Sequence, residues 1–487
     1  MTDAVGYRRE RKRQGGVPLS TRIYQGVGAL PDTFKDFAVK TFLLIYYNQV
    51  LGLPASWVSA ALALALFVDA VTDPIVGSWS DNFRSRLGRR HPFMYAAALP
   101  LGLCLYLLFA PPALDDALLL AWLLFFIVAT RVCMTFYLIP WNSLFAEFSD
   151  DYQERSAIVT YRFLMGWIGG ISFTFAVYSW VFPSSTDYPF GQLNPESYAH
   201  FAAVLALSVV AAVLFTTHMT RDQIPFLMQP QGEVRPFGLR QVLREVLTAL
   251  RNRDFLLLFL AVLASSLVIG THGALEIYMR TYFWGLDTGA LRWFALGFTG
   301  ALLAFLTILP LQSRFDKKHI LVATSVLYAL AGMALVSLRL LDLLPANGDP
   351  LLLWLLIGDA IVRTYLGTIA VIMFISMVAD TLDAQELRTG LRQEGVFSSV
   401  LAFSGKATSG LGLLIAGLLL DAVVHFPERA AATAVPADVL LRLGVIDGLV
   451  VPLFNLIWMV LVLRYRITRP VHEQMRRELD ARRAADG

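Results

Sequence analysis

Asp69 and Asp73 stand four residues apart in FVDAVTDPIVGSWSDNFRSRLGRRHP, the stretch from Phe67 to Pro92, whose first half is otherwise apolar or small. On a helix the two carboxylates share one face, a turn apart. Like charges so close in a low dielectric repel unless a cation or proton joins them. Carboxylate oxygens suit Na⁺, Li⁺ or H⁺, and nothing nearby suits a soft metal. Pro74 follows directly. It lacks a backbone donor and crowds the carbonyl of residue 70, which makes that carbonyl a further candidate ligand. The competing reading is an acidic pair neutralised by nearby arginines for folding only.

Other ionic residues interrupt apolar runs, where a charge is costly and marks a candidate site. Lys406 lies in SSVLAFSGKATSGLG, twelve residues after Glu394, and Asp69 lies twelve before Asp81. At about 1.5 Å per residue both are roughly 18 Å from a polar end, near the midplane of a hydrocarbon core about 30 Å thick. A lysine at that depth needs a carboxylate partner, and the glycines and serines around it allow close helix approach. Asp36, in ALPDTFKDFAVK, is flanked by Lys35 and Lys40, which are expected on other helix faces; Arg131 is central in its own run. Asp359 and Arg363 are spaced to satisfy each other, and His272 and Glu276 form a second such couple. Tyr46, Tyr47, Tyr137, Trp141, Trp167 and Tyr365 are rings at similar levels. Rings stack on sugar faces, and they are equally ordinary interface and core residues.

The elements that hold these residues follow from composition. Of 487 residues, 56% are hydrophobic and 16% charged, with mean hydropathy +0.59; soluble chains are about a quarter charged. This is the composition of a polytopic membrane protein. The net charge of +3 gives no support to a nucleic-acid partner. Cys104 and Cys133 form no metal or disulfide motif. No cleavable leader is visible, so the first span is expected to serve as its own insertion signal. Apolar runs long enough to span occur at 27–51, 56–80, 92–111, 117–145, 161–182, 198–218, 254–282, 289–312, 318–341, 350–379, 395–424 and 438–463. The expected organisation is a basic tail 1–26, a six-helix bundle 27–218, a charged connection 219–253, a second six-helix bundle 254–463 and a tail 464–487. FGLRQVLREVLTALRN in the connection has the spacing of a helix lying on the membrane surface. Lys and Arg concentrate in both tails, the connection and alternate loops, which puts both termini in the cytoplasm. The halves echo each other: SDNFRSRLGRR ends span two as SRFDKKH ends span eight, and EFSDDYQERSAIVTYR follows span four as ADTLDAQELRTGLRQEG follows span ten. Such repetition fits a transporter built from two related bundles. An enzyme is not expected: there is no HExxH, and no serine–lysine or cysteine–histidine set falls at one depth.

KDFAVK, DAVTDPIVGSWSDNFRSRLGRRHP, IPWNSL and ADTLDAQELRTGLRQEG together resemble the glycoside–pentoside–hexuronide:cation symporters of the major facilitator superfamily, the melibiose-permease type. Eukaryotic lysolipid symporters share the DAxTDP pattern. The resemblance covers most of the chain. It implies the twelve-helix major facilitator fold, all α, with both termini cytoplasmic. It makes Asp69 and Asp73 the cation pair, with Thr135 near the cation and Lys406 facing both cation and substrate. It places Asp36 and Arg162 at the substrate cavity, with Asp69 and Lys406 touching both ligands. Gly77, Asp81, Arg86 and Arg89 match the cytoplasmic latch. One departure stands out. The family's second sugar-binding aspartate, just before the IP dipeptide, is Leu138 here, and its tryptophan is displaced, with Trp141 and Asn142 in that neighbourhood. Thr72 also stands between the aspartates, where the family varies its cation choice. The implied function is import of a sugar, glycoside or related solute, coupled to Na⁺, Li⁺ or H⁺, by alternating access in the plasma membrane. The alternatives are a lysolipid-like or amphipathic cargo and an uncoupled uniporter. No cofactor beyond the transported cation is implied. The partners are a small-molecule substrate and the bilayer, and the protein is expected to be a monomer.

Overall fold

The computed structural model describes residues 7–9, 15–149, 151–230, 253–389, 394–430 and 435–486. The surface helix expected in the connection lies outside them. The chain forms two compact units, Met1–Phe237 and Gly238–Gly487. The first holds helices α1 (Leu19–Val27), α2 (Leu30–Ala38), α3 (Ala55–Asn82), α4 (His91–Phe109), α5 (Asp116–Phe148), α6 (Tyr152–Ala176) and α7 (Pro195–Met219). The second holds α8 (Arg253–Tyr278), α9 (Thr288–Leu291), α10 (Phe298–Arg314), α11 (Lys317–Leu340), α12 (Pro350–Thr389), α13 (Glu394–Leu419), α14 (Ala437–Val445), α15 (Val451–Leu463) and α16 (Arg469–Asp486). The described strands are one short antiparallel pair, β1 (Tyr7–Arg9) with β2 (Met228–Pro230).

Among the described residues, ten helical segments are long and apolar enough to cross a membrane. Two further spans complete the expected twelve. The first is α2, which continues through π-helical turns to Val50 and carries Asp32, Lys35, Asp36 and Lys40. The other is α13, continued by a π-helical turn to Val424. Large apolar side chains cover the exterior, among them Leu99, Leu207, Leu306 and Leu309, each at least 70% exposed. That exterior suits lipid, where only the backbone must be satisfied internally. Helix starts are set by side chains that accept orphan amides: Asp115 from Leu118 N–H, Asp151 from Glu154, Asn194 from Glu196 and Asp316 from Lys318. Residues 19–26, expected as part of the tail, instead form α1 together with Val27; it packs on α6 and buries Thr21, Gln25 and Gly26.

The two units repeat each other in a way the apolar runs did not disclose. The first span ends in the π turn Tyr46–Val50, the seventh in Met279–Phe283. Each is followed by a left-handed glycine, Gly52 at φ 89° and Gly285 at φ 60°, a conformation that favours glycine. The next amide then reaches back over the turn, Leu53 N–H to Tyr47 O and Leu286 N–H to Arg280 O, both at 2.9 Å. The fifth and eleventh spans end likewise, in Val177–Val181 and Leu420–Val424, each running into a Phe-Pro step. In the first unit these ends gather Phe42, Tyr46, Phe109, Phe182, Tyr198 and Phe201 into one ring cluster. In the second the core centres on Leu258, Ile308, Ile369, Met373, Trp458 and Val462.

Candidate functional site

Helices α3 and α5 pack side by side, and each offers two polar residues one turn apart. Arg131 Nη1 meets Asp69 Oδ2 at 3.0 Å. One turn on, the Thr135 hydroxyl donates to Asp73 Oδ1 at 2.9 Å. Thr72 Oγ1 lies 3.5 Å from Thr135 Oγ1 and donates to the Val68 carbonyl at 3.0 Å. Asp69 is buried, at 6% exposure, and Asp73 half-buried. The carboxylates therefore do not stand alone as the sequence pattern had them: one is paired to a guanidinium, the other hydrogen-bonded to a hydroxyl. Among the described residues, no cluster of three metal-ligating side chains is present.

The substrate candidates fall in different settings. Asp36 is held by Lys35 at 2.9 Å and Lys40 at 2.7 Å, and Lys35 also meets Asp32 at 2.8 Å. This corrects the expectation that the lysines point elsewhere. Lys40 is one turn on, hence on the same face, and the flexible stem of Lys35 folds back beside its neighbour. Trp141 is 3% exposed and is locked into the α1–α5 contact. Its indole N–H donates to Gln25 O at 3.2 Å, and Gln25 Nε2 donates to Trp141 O at 2.9 Å. Arg162 lies over the ring, 3.9 Å from its centroid, and donates to the Asn142 side chain. That ring face is thus covered by a cation. Tyr46 and Tyr47 are likewise buried in packing. Tyr365, in the second unit, accepts from the Thr307 hydroxyl at 3.1 Å and packs on the core. Lys406 lies on α13, but its side chain is outside the described residues.

At the polar end of the first unit, Arg89 meets Glu147 at 2.7 Å and Asp81 at 3.6 Å, and Arg90 meets Glu147 at 3.2 Å and also Asp81. Gly77 faces Ile139 of α5. Arg86, expected in the latch, is exposed; Arg90 joins Asp81 beside Arg89, and Glu147 is the shared acceptor that the sequence reading left unassigned. The second unit repeats the device: Lys317 meets Asp380 at 2.7 Å, and His472 of α16 meets Asp383 at 3.0 Å. A cavity of about 230 Å³ opens there, lined by Gln312, Asp316, Lys317, Asp380, Arg469 and His472. Lys318 Nζ donates to Tyr465 O at 3.0 Å, and burial holds the Tyr465 phenol above its usual range.

Deep in the second unit lies another cluster. Asp359 meets Arg363 at 2.9 Å, the self-satisfying pair expected from the sequence. The expected His272–Glu276 couple is rearranged: Glu276 pairs with Arg280 on the next turn, and His272 meets Asp447 at 2.8 Å. Asp447, 3% exposed on a π-helical turn, was not singled out, since a lone acid in GVIDGLV carries no spacing signal.

Residues 24–469 match the family described as MFS/sugar transport protein. The chain belongs to that family. The transporter is similar to an uncharacterised symporter of Synechocystis sp., with 26% identity over 95% of this chain and 97% of that one. It is also similar to the putative glycoside/cation symporter YagG of Escherichia coli, with 25% identity over 96% of each. Among solved structures, the nucleoside transporter NupG superposes with a TM-score of 0.59 at 13% identity, covering 92% of this chain and 100% of that one; this shows the fold alone. The protein is a multi-pass membrane transporter of the major facilitator fold and not an enzyme, in keeping with the resemblance carried by its motifs.

Proposed function

We propose that this transporter is a symporter that imports a sugar, glycoside or related small solute across a bacterial plasma membrane, coupled to one monovalent cation, by alternating access. The observation that carries the proposal is the α3–α5 ladder, Asp69 with Arg131 and Asp73 with Thr135. A cation at Asp73 would offset carboxylate charge held inside the membrane, where an ionised group is costly. Na⁺, Li⁺ and H⁺ all fit that oxygen set. Lys406 is assigned to sense this neutralisation from α13. Both termini are assigned to the cytoplasm on the Lys/Arg bias. The cytoplasmic ends of the two bundles carry the Arg89–Glu147 and Lys317–Asp380 pairs.

The cargo differs from a galactoside. Asp36 is neutralised by two lysines, Trp141 is sealed in packing, and Leu138 replaces a sugar-binding acid. This favours a less hydroxylated or more amphipathic solute, recognised in part by Arg162 and Asn142. Thermal stability of purified protein against glycosides, uronates and lysolipids, with Na⁺, Li⁺ and pH varied, tests both points. Solute and cation should each strengthen the other's stabilisation, because coupling is reciprocal. Stabilisation by a solute with no cation or pH effect would instead mean an uncoupled uniporter. Lysolipids acting where sugars do not would assign the amphipathic cargo.

A further inference from the structure

The cluster in the second unit has a hydrogen-bond order that fixes where its protons sit. Arg363 Nη1 lies 3.1 Å from His272 Nε2, and His272 Nδ1 lies 2.8 Å from Asp447 Oδ1. A guanidinium only donates, so Nε2 must accept, and the ring hydrogen is on Nδ1, donated to the carboxylate. His272 is neutral in this arrangement. The charged groups around it are Asp359, Glu276 and Asp447 against Arg363 and Arg280. Among the described residues, three carboxylates and two guanidiniums leave one negative charge within the membrane span. From α11 the neighbours are Tyr328, which lies within the field of this cluster, and Gly332, against which Arg363 packs. From α13, packed along the other side through Thr271 and Gly412, the ionic residues are Glu394 and Lys406, whose side chains are outside the described residues; Asp421 stands on the π-helical turn that follows.

We propose that His272 and Asp447 form a proton-binding site in the second unit, separate from the carboxylate pair of the first. The proton adds to Nε2 of His272 and brings the cluster to neutrality. Nε2–H then faces Arg363 Nη1 donor to donor, so that contact must break. Asp359, already bonded to Arg363, retains the guanidinium. The site thereby couples one proton to a local rearrangement of α8, α12 and the π turn Ile446–Val450. It stands whether the transported cation is sodium or a proton, and its test needs no substrate.

The test is ¹⁵N-histidine NMR of the full chain in nanodiscs, feasible because the sequence has seven histidines. The His272 signal is the one absent from His272→Asn; if that variant does not fold, the contact to the ¹³C-labelled Asp447 carboxylate identifies it. In alkaline buffer the ring should be the neutral Nδ1–H tautomer. Lowering the pH from about 9 to about 4.5, a window around the ordinary imidazole value, should convert it to the doubly protonated form. Asp447→Asn should weaken its proton affinity at least tenfold. An Nε2–H tautomer, a ring that never takes a second proton in that window, or an affinity unmoved by Asp447→Asn would overturn the proposal. The tautomer is read on the unaltered chain, so it decides even where the substituted chain fails to fold.

Discussion

Arg131 sets the charge at the carboxylate pair. Its partner Asp69 is buried, and removing one member of a buried pair costs about 3–5 kcal/mol. Arg131→Gln should therefore lower the melting temperature of the purified protein by several degrees, and adding Asp69→Asn should recover most of the loss. Equal melting of all three chains would remove the pair from the structure's support. Thr135→Val deletes the hydroxyl donated to Asp73. A hydrogen bond to a charged group is worth about 1.5–3 kcal/mol, so apparent cation affinity should fall about tenfold or more, read from cation-dependent stabilisation. An unchanged affinity would take Thr135 out of the site. The two aspartates were legible because spacing alone puts them on one face. The resemblance put Thr135 near the cation, but the pairing of Arg131 with Asp69 was not legible: it depends on which turn of α5 meets which turn of α3, sixty-two residues away in sequence. Asp447 was missed for the same reason, since its partner His272 lies on another helix, far away in sequence.

At the scale of the elements, close backbone approach decides how α8 and α13 pack. A Cβ on Gly270 would lie 2.4 Å from Ser409 O, and one on Gly412 would lie 2.2 Å from Leu267 O. Thr271 donates to Gly412 O across the contact at 2.9 Å. Gly412→Val should force the backbones apart, and overpacking of this kind costs about 1–3 kcal/mol or more. Gly273→Ala is the control, since its Cβ meets nothing within 4 Å. Thermal melts should separate the two, and matched melts would mean the helices are not held by this contact. The small residues around Lys406 announced the approach in the sequence. Helix limits were less legible. The expected spans 117–145 and 350–379 are the helices Asp116–Phe148 and Pro350–Thr389. Apolar length measures the bilayer, whereas a helix continues over polar residues until a cap or turn ends it.

Across the whole molecule the repeat is the organising fact, and it is carried by polar ends more than by apolar runs. Arg89 with Glu147 in one unit corresponds to Lys317 with Asp380 in the other. The two pairs differ in burial: the Arg89 and Glu147 side chains are 7% and 9% exposed, whereas that of Lys317 is 32% exposed. Glu147→Gln removes the buried carboxylate shared by two buried arginines, which keep only the more exposed Asp81, and should destabilise by about 3–5 kcal/mol. Lys317→Met should cost less, because Lys317 is partly exposed and His472 still faces the buried Asp380. Comparable losses in thermal melts would mean that burial does not distinguish the two ends. The basic loops made this repeat legible; the glycine and Phe-Pro turns at the opposite ends did not stand out, because a π-helical ending leaves no periodic signal. The cation at Asp69 and Asp73 is proposed to drive solute import. The most direct test is accumulation of a stabilising solute, found in the melting screen, in proteoliposomes under an imposed Na⁺ or pH gradient with a membrane potential. One charge moving through 100 mV is worth about 2.3 kcal/mol, or roughly fifty-fold accumulation. The unaltered protein should approach that ratio, and Asp73→Asn should reach no more than equal concentrations on both sides. Accumulation by Asp73→Asn as high as by the unaltered chain would contradict it.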